Sequence, residues 1–251
     1  MASPFRTANA LILREVRYKE ADRILTIFTE EDGILTAKAR GALRKTSRTA
    51  AATQQLTYSE LTLFSNRERL TVNEAVVKEP FDGLRKNFEN YALGCYFAEA
   101  AEALLPEEQP EREALRLLLN CLYALSHEMH DPRQIKAAFE MRLMCLLGYA
   151  PDLTSCSVCG REDPEEPLLG IETGQICCRA CRTSDGVRAV PLGAEGLKAM
   201  RYLVSAPLRQ LLSFSLEEED LRRLARAAEE YLLTHAERRF STLDYWKRVK
   251  I

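Results

Sequence analysis

Residues 23–40, Arg-Ile-Leu-Thr-Ile-Phe-Thr-Glu-Glu-Asp-Gly-Ile-Leu-Thr-Ala-Lys-Ala-Arg, read as two strands joined by a tight turn. From Arg23 to Thr29, Ile24, Thr26 and Phe28 alternate with Leu25 and Ile27, the period of a strand whose two faces differ. Glu31-Asp32-Gly33 is the turn, because Asp-Gly supplies the positive φ that hairpins require. Ile34 to Arg40 returns with Leu35, Ala37 and Ala39 on one face and Thr36, Lys38 and Arg40 on the other. The return strand thus offers one apolar face to a core and one cationic face to solvent.

Ala8 to Val16 is a strand before this hairpin. Gln54 to Phe64 is a strand after it, with an alternation that slips near Glu60 and so predicts a bulge. Ser65-Asn66-Arg67-Glu68 turns the chain, and Arg69 to Val77 is a fifth strand. Five short strands in this space fit a small barrel such as the OB-fold, which commonly takes single strands on one face. An SH3-like barrel or a two-layer sheet would show the same pattern. Between the third and fourth strands, Ala37 to Ala50 (AKARGALRKTSRTA) holds Lys38, Arg40, Arg44, Lys45 and Arg48 and no acidic residue. Gly41 breaks the strand, and Thr46, Ser47 and Thr49 keep the segment beyond it polar, so a flexible loop is expected. Concentrated cations suit a polyanion, because they release the counterions condensed on phosphates. The plainer reading of such a run is a solvated surface loop.

The whole chain has 251 residues and a net charge of −2, which averages unlike regions. Residues 1–80 carry 13 Lys and Arg against 10 Asp and Glu, and residues 237–251 carry five against two. The acid lies in the middle, which hints at a localised anionic partner. A hydrophobic content of 46% and a charged content of 29% are those of a soluble globular chain. No apolar run reaches the length of a membrane span, and the N-terminal residues lack a signal-peptide layout, so a cytoplasmic, reducing location is expected.

After Pro80 the period changes to that of helices, expected over 81–105, 111–130, 132–147, 194–204 and 216–235. Asp131-Pro132 is a start signal and Gly148 a stop. The expected division is a barrel at 1–80, helical segments at 81–150 and 191–251, the latter with a basic C-terminal tail, and a cysteine-bearing insert at 151–190.

That insert holds Cys156-Ser-Val-Cys159-Gly160 and Cys178-Arg-Ala-Cys181, with 18 residues between the inner cysteines. Such spacing is that of a four-cysteine zinc ribbon, with two knuckles closing on one tetrahedral ion. Cys177 is an alternative to Cys178 as ligand. Four thiolates leave no open position, so the zinc is expected to be structural. Cys95, Cys121 and Cys145 sit at apolar helical positions and read as core. His127, His130 and His235 read as helix-end residues. No phosphate loop, nucleophile elbow or HExxH motif is present, and no acidic spacing singles out a catalytic pair, so no enzymatic activity is expected.

The segment Phe139-Glu-Met-Arg-Leu143-Met-Cys-Leu146-Leu147-Gly148-Tyr-Ala-Pro151-Asp-Leu153-Thr-Ser-Cys156-Ser-Val-Cys159-Gly160 resembles the RecO family of bacterial DNA repair proteins. So does Tyr18-Lys19-Glu20-Ala21-Asp22-Arg23-Ile24-Leu25-Thr26, with Gly33 and Ala39-Arg40-Gly41 beyond it. Thr173-Gly174 stands where the family usually has paired glycines. The resemblance implies an α+β multidomain chain, with an N-terminal five-stranded OB-fold barrel followed by an α-helical domain carrying a zinc-binding insert. It implies a recombination mediator of the RecFOR pathway that binds single- and double-stranded DNA. Such a protein works with RecR and the single-stranded DNA-binding protein SSB, anneals strands and helps load RecA. It also implies a nucleoid-associated location. Phosphates would meet Lys38, Arg40, Arg44, Lys45 and Arg48, with Arg14, Arg17, Lys19, Arg23, Arg67 and Arg69 as additions. The competing reading is a zinc-ribbon interaction scaffold whose basic loop contacts protein or RNA.

Overall fold

The computed structural model describes residues 5–66, 69–182, 186 and 188–249. The chain divides into two compact units, Met1–His127 with Phe240–Ile251, and Glu128–Arg239. The second is therefore an insertion between two segments of the first. The expected boundary at residue 80 coincides with the change from strands to helices; the compact units divide elsewhere.

Five strands open the first unit: β1 (Phe5–Tyr18), β2 (Asp22–Thr29), β3 (Gly33–Ala39), β4 (Tyr58–Asn66) and β5 (Arg69–Glu79). They close into a barrel in the order β1-β2-β3-β5-β4, with β4 returning to β1. All pairings are antiparallel except β3 with β5, where Ala37, Lys38 and Ala39 face Leu70, Thr71 and Val72. The barrel is of the OB type.

β1 is 14 residues long, which lets its first half pair with β4 and its second half with β2. A register shift between Ile12 and Arg14 bends it there, as closure of a small barrel requires. Ala10, Ile12, Leu25, Ile27, Leu61 and Leu63 fill the interior, with Ala37 and Ala39 as the small residues that a narrow barrel needs opposite large ones. Burying each Leu or Ile contributes roughly 1.5–3 kcal/mol. At the hairpin, Gly33 has φ +69, and a Cβ there would meet the Gln109 carbonyl oxygen at 1.9 Å. Glycine is needed for both reasons.

The fourth strand begins at Tyr58, later than the alternation from Gln54 suggests. Leu56 takes φ +59, and Thr57 N–H closes a turn onto the Gln54 carbonyl at 3.2 Å. Register shifts fall at Tyr58/Ser59 and Thr62/Leu63, on either side of Glu60.

The helices of this unit are α1 (Asp82–Lys86), α2 (Phe88–Leu104) and α3 (Arg112–Ser126). The single helix expected over 81–105 is broken at Asn87, which is extended and turns its side chain to accept from Asn90 N–H. An N-cap inside a helical pattern starts a new helix. The helix expected to reach residue 130 stops at Ser126, and Glu128 takes φ +49. Leu11 and Leu13, on the outer side of β1, are fully buried, and β1 packs against α2.

The second unit holds α4 (Pro132–Leu146), a three-stranded sheet of β6 (Pro167–Gly170), β7 (Ile176–Cys178) and β8 (Ala189–Pro191), then α5 (Gly193–Ser205) and α6 (Glu218–His235). The sheet order is β7-β6-β8. Asp131 caps α4 through Arg133 N–H, with Pro132 in the first turn. α4 and α6 pack together over a buried cluster in which Lys136 pairs with Glu140 and Glu229, both at 2.9 Å. The chain then returns to the first unit as α7 (Ser241–Val249), which carries Lys247 and Arg248 of the basic C-terminal segment in its last turn. Leu243 and Trp246 bury its apolar face, and Glu99 on α2 accepts from Thr242 N–H at 3.0 Å to cap its start. Among the described residues no helix is long and apolar enough to cross a membrane.

Candidate nucleic-acid interface and metal centre

Alternation along β3 turns Thr36 and Lys38 outward, Arg40 is exposed just past its end, and the parallel β3–β5 pairing brings Arg69 from a distant segment to the same side. Together with Tyr18 and Phe64 these residues line a groove of about 980 Å³. Phe5 and Tyr18 are large exposed aromatics at its wall, and the Phe5 and Phe64 rings lie 5.1 Å apart. Cations beside exposed rings can meet both phosphates and bases of an unpaired strand.

The predicted cations fall into two groups. Arg40, Arg44, Lys45, Arg48, Arg17 and Arg69 are exposed and carry no ion pair among the described residues. Lys19 is also exposed, 5.5 Å from the Tyr18 ring centroid. Lys38 is held by Asp22 at 2.8 Å and lies 4.9 Å from that ring.

The others are held by partners within the chain. Arg14 pairs with Glu102 of α2 at 2.7 Å, and that hydrogen-bonded carboxylate raises its pKa above the ordinary value. Arg23 is 11% exposed; it pairs with Glu15 at 3.1 Å and donates to the Ala50 carbonyl and Thr53 Oγ1 at 2.9 and 3.0 Å. Arg67 lies outside the described residues.

The basic loop is more ordered than its composition suggests. Leu43 N–H donates to the Ala21 carbonyl at 2.9 Å, Ala42, Ala52 and Thr53 are buried, and Arg23 pins the segment at Ala50. Its cations point outward because its small residues point in. Phe5, Tyr18, Phe64, Asn66 and Asn73 also line the groove, and sequence reasoning does not single them out. Their one local signal is an aromatic near a strand end, which core residues share.

In the second unit, Cys156, Cys159, Cys178 and Cys181 bring their sulfurs within 4.8 Å of one another. Cys159 and Cys178 Sγ are 3.8 Å apart, close to the edge of a tetrahedron with metal–sulfur bonds of about 2.3 Å. The first knuckle closes through Gly160 N–H to the Cys156 carbonyl at 2.9 Å. The second runs from β7 into a single 3₁₀ turn over Arg179–Cys181.

Cys177 is not part of the cluster; it precedes Cys178 on β7, where successive side chains face opposite sides. Burial raises the Cys156 thiol, but backbone N–H groups of Cys159, Cys178 and Val158 outweigh it and bring it down to about 6. Cys181 is pushed up to about 12, first by donating to Cys159 and then by burial. Burial, with the hydrogen bond to Cys159, likewise raises Cys178. A lowered thiol beside raised neighbours marks four sulfurs crowded together, a donor set that could hold a metal ion.

The remaining cysteines behave as core. Burial pushes Cys95 up to about 11, and also raises Cys121 and Cys145. His127 stacks on Tyr123 at 4.0 Å, and His235 Nε2 lies 3.0 Å from the Ile171 carbonyl oxygen.

Two family descriptions match the chain, Recombination protein O N terminal over residues 1–81 and Recombination protein O C terminal over residues 85–244. The DNA repair protein RecO of Acetivibrio thermocellus is 33% identical over 240 residues, 95% of each chain. That of Symbiobacterium thermophilum is 32% identical over 244 residues, 94% of each. That of Rubrobacter xylanophilus is 31% identical over 230 residues, 91% of each. The OB-type barrel, the helical segments and the four-cysteine cluster therefore sit in a chain that belongs to the RecO family of DNA repair and recombination proteins.

Proposed function

We propose that this chain is a recombination mediator that binds single- and double-stranded DNA along the barrel groove, with no bond made or broken. The observation that carries the reading is the groove itself, where Lys38, Arg40 and Arg69 lie beside exposed aromatics in a chain of this family. Arg44, Lys45 and Arg48 extend the cationic surface from the ordered loop. These residues neutralise phosphates, and the released counterions supply most of the affinity. Phosphate contacts carry no sequence information, so binding is indifferent to sequence. Holding two strands on a cationic surface lowers their mutual repulsion, which is what annealing without ATP requires. RecR and SSB are the protein partners, and RecA loading is the outcome; the protein works in the cytoplasm at the nucleoid.

The four cysteines hold one zinc ion. The closed thiolate set supplies folding energy and no reactive position. Elemental measurement should give close to one zinc per chain.

The test is titration of a labelled single-stranded oligonucleotide at several salt concentrations, with and without RecR. Affinity should fall steeply with salt and be alike on unrelated sequences. An absence of DNA binding at low salt would leave the zinc-ribbon scaffold reading in its place.

A further inference from the structure

Asp22 is an acid paired with Lys38 of the groove wall, beside a groove assigned to an anion, and electrostatics alone would count it as a defect. Its two oxygens are both engaged. Oδ2 pairs with Lys38 Nζ at 2.8 Å, and Oδ1 accepts from Gly41 N–H at 2.8 Å. Lys38 and Gly41 lie on either side of Arg40, so one carboxylate grips the chain before and after this exposed cation at the end of the strand. Gly41 has φ +66 there, turning the backbone out of β3 and into the basic loop.

The adjoining turn adds a second stitch through the Ala21 carbonyl to Leu43 N–H at 2.9 Å. The same carboxylate holds the Lys38 ammonium at 4.9 Å from the Tyr18 ring centroid, where the ring face attracts it. Lys38 and then Gly41 keep the Asp22 carboxyl below its ordinary range, so it stays charged at neutral pH.

A free lysine at this position would sample many rotamers and lose that freedom on meeting a phosphate. Here the ordering precedes the ligand.

We infer that Asp22 is a positioning residue for the anion groove, fixing Lys38 over Tyr18 and aiming Arg40 before a strand arrives. The inference rests on the nucleic-acid reading of the groove and makes a prediction opposite to that of charge counting. Asp22→Asn keeps an oxygen for Gly41 N–H and removes the charge that holds Lys38.

Charge counting expects tighter binding of a single-stranded oligonucleotide, since a negative group beside the groove is removed. Positioning expects weaker binding, on the order of fivefold, the scale of one exposed ion pair. The loss should vanish when the same change is made in a Lys38→Ala background, because the two residues act as one. Tyr18→Leu, which removes the ring beneath Lys38 and leaves Asp22 in place, should weaken binding as well.

Melting followed by Trp246, the sole tryptophan and buried in the same unit, separates these effects from unfolding. Equal or tighter binding by Asp22→Asn, or an equal loss in the Lys38→Ala background, would overturn the inference. Failure of the unaltered protein to bind DNA would instead remove the groove reading on which it rests.

Discussion

Around the barrel groove, the cations come from separate strands and an ordered loop, and most of them are exposed and unpaired. In the cysteine cluster, four sulfurs from two knuckles converge within 4.8 Å, and none has a purpose without the others. A spread site is built by a scaffold that already exists and degrades by increments. A convergent site helps to make its own scaffold and fails at once. Removal of single side chains puts that contrast to the test.

The largest effect is expected from Cys156→Ser. Structural zinc contributes on the order of 10 kcal/mol to folding in zinc-finger peptides, so losing one ligand should release the ion and sharply lower the melting temperature. Zinc content by elemental analysis and a thermal melt measure this. A metal-free protein with unchanged melting would place the cluster among ordinary buried thiols.

Arg23→Ala comes next, and its readout is stability. Its buried guanidinium bonds to Glu15, the Ala50 carbonyl and Thr53, so truncation should destabilise by roughly 1–3 kcal/mol. Denaturant unfolding should show it, with DNA binding weakened only as far as the loop loosens.

Arg44→Ala with Lys45→Ala should reverse that profile. Both residues are exposed, so melting and zinc content should hold. The log–log salt dependence of single-strand binding should flatten by about 0.7 for each phosphate that the variant no longer neutralises. Unchanged affinity and slope would reduce this loop to solvated surface and move attention to Arg17, Lys19 and Arg69.

Two substitutions should do least. Cys177→Ser, outside the sulfur cluster, should keep the metal, whereas a loss of zinc would make Cys177 the ligand. Glu107→Ala with Glu108→Ala removes acid from the linker after α2 and should leave DNA affinity unweakened in the same titration.

Sequence and structure agree most where the information is local. The alternation of Arg23–Thr29 and Ile34–Arg40 and the glycine at position 33 place two strands and their turn within a residue or two. They agree least where a residue's partner is remote. Arg14 and Arg23 look like Arg40 in sequence, yet Glu102 and Ala50 hold them. α7 escapes a sequence reading because its nine residues are too few to display a convincing helical period without the α2 surface on which Leu243 and Trp246 pack. Asn87 looks like one more polar position in a helix, and only its cap to Asn90 separates α1 from α2.

Strand periods, the paired cysteine knuckles and the family are legible without coordinates, because strand alternation, turn chemistry and ligand spacing are encoded over a few neighbouring residues. Which cations stay open to an anion is a tertiary matter. That depends on where acids and carbonyl groups arrive from elsewhere in the chain. The fold also brings Arg69 to the same groove as Lys38, because the parallel β3–β5 pairing joins segments that sequence distance keeps apart. Ion pairs and strand contacts between distant segments depend on the whole barrel offsetting the entropy of bringing those segments together, and no local pattern records that.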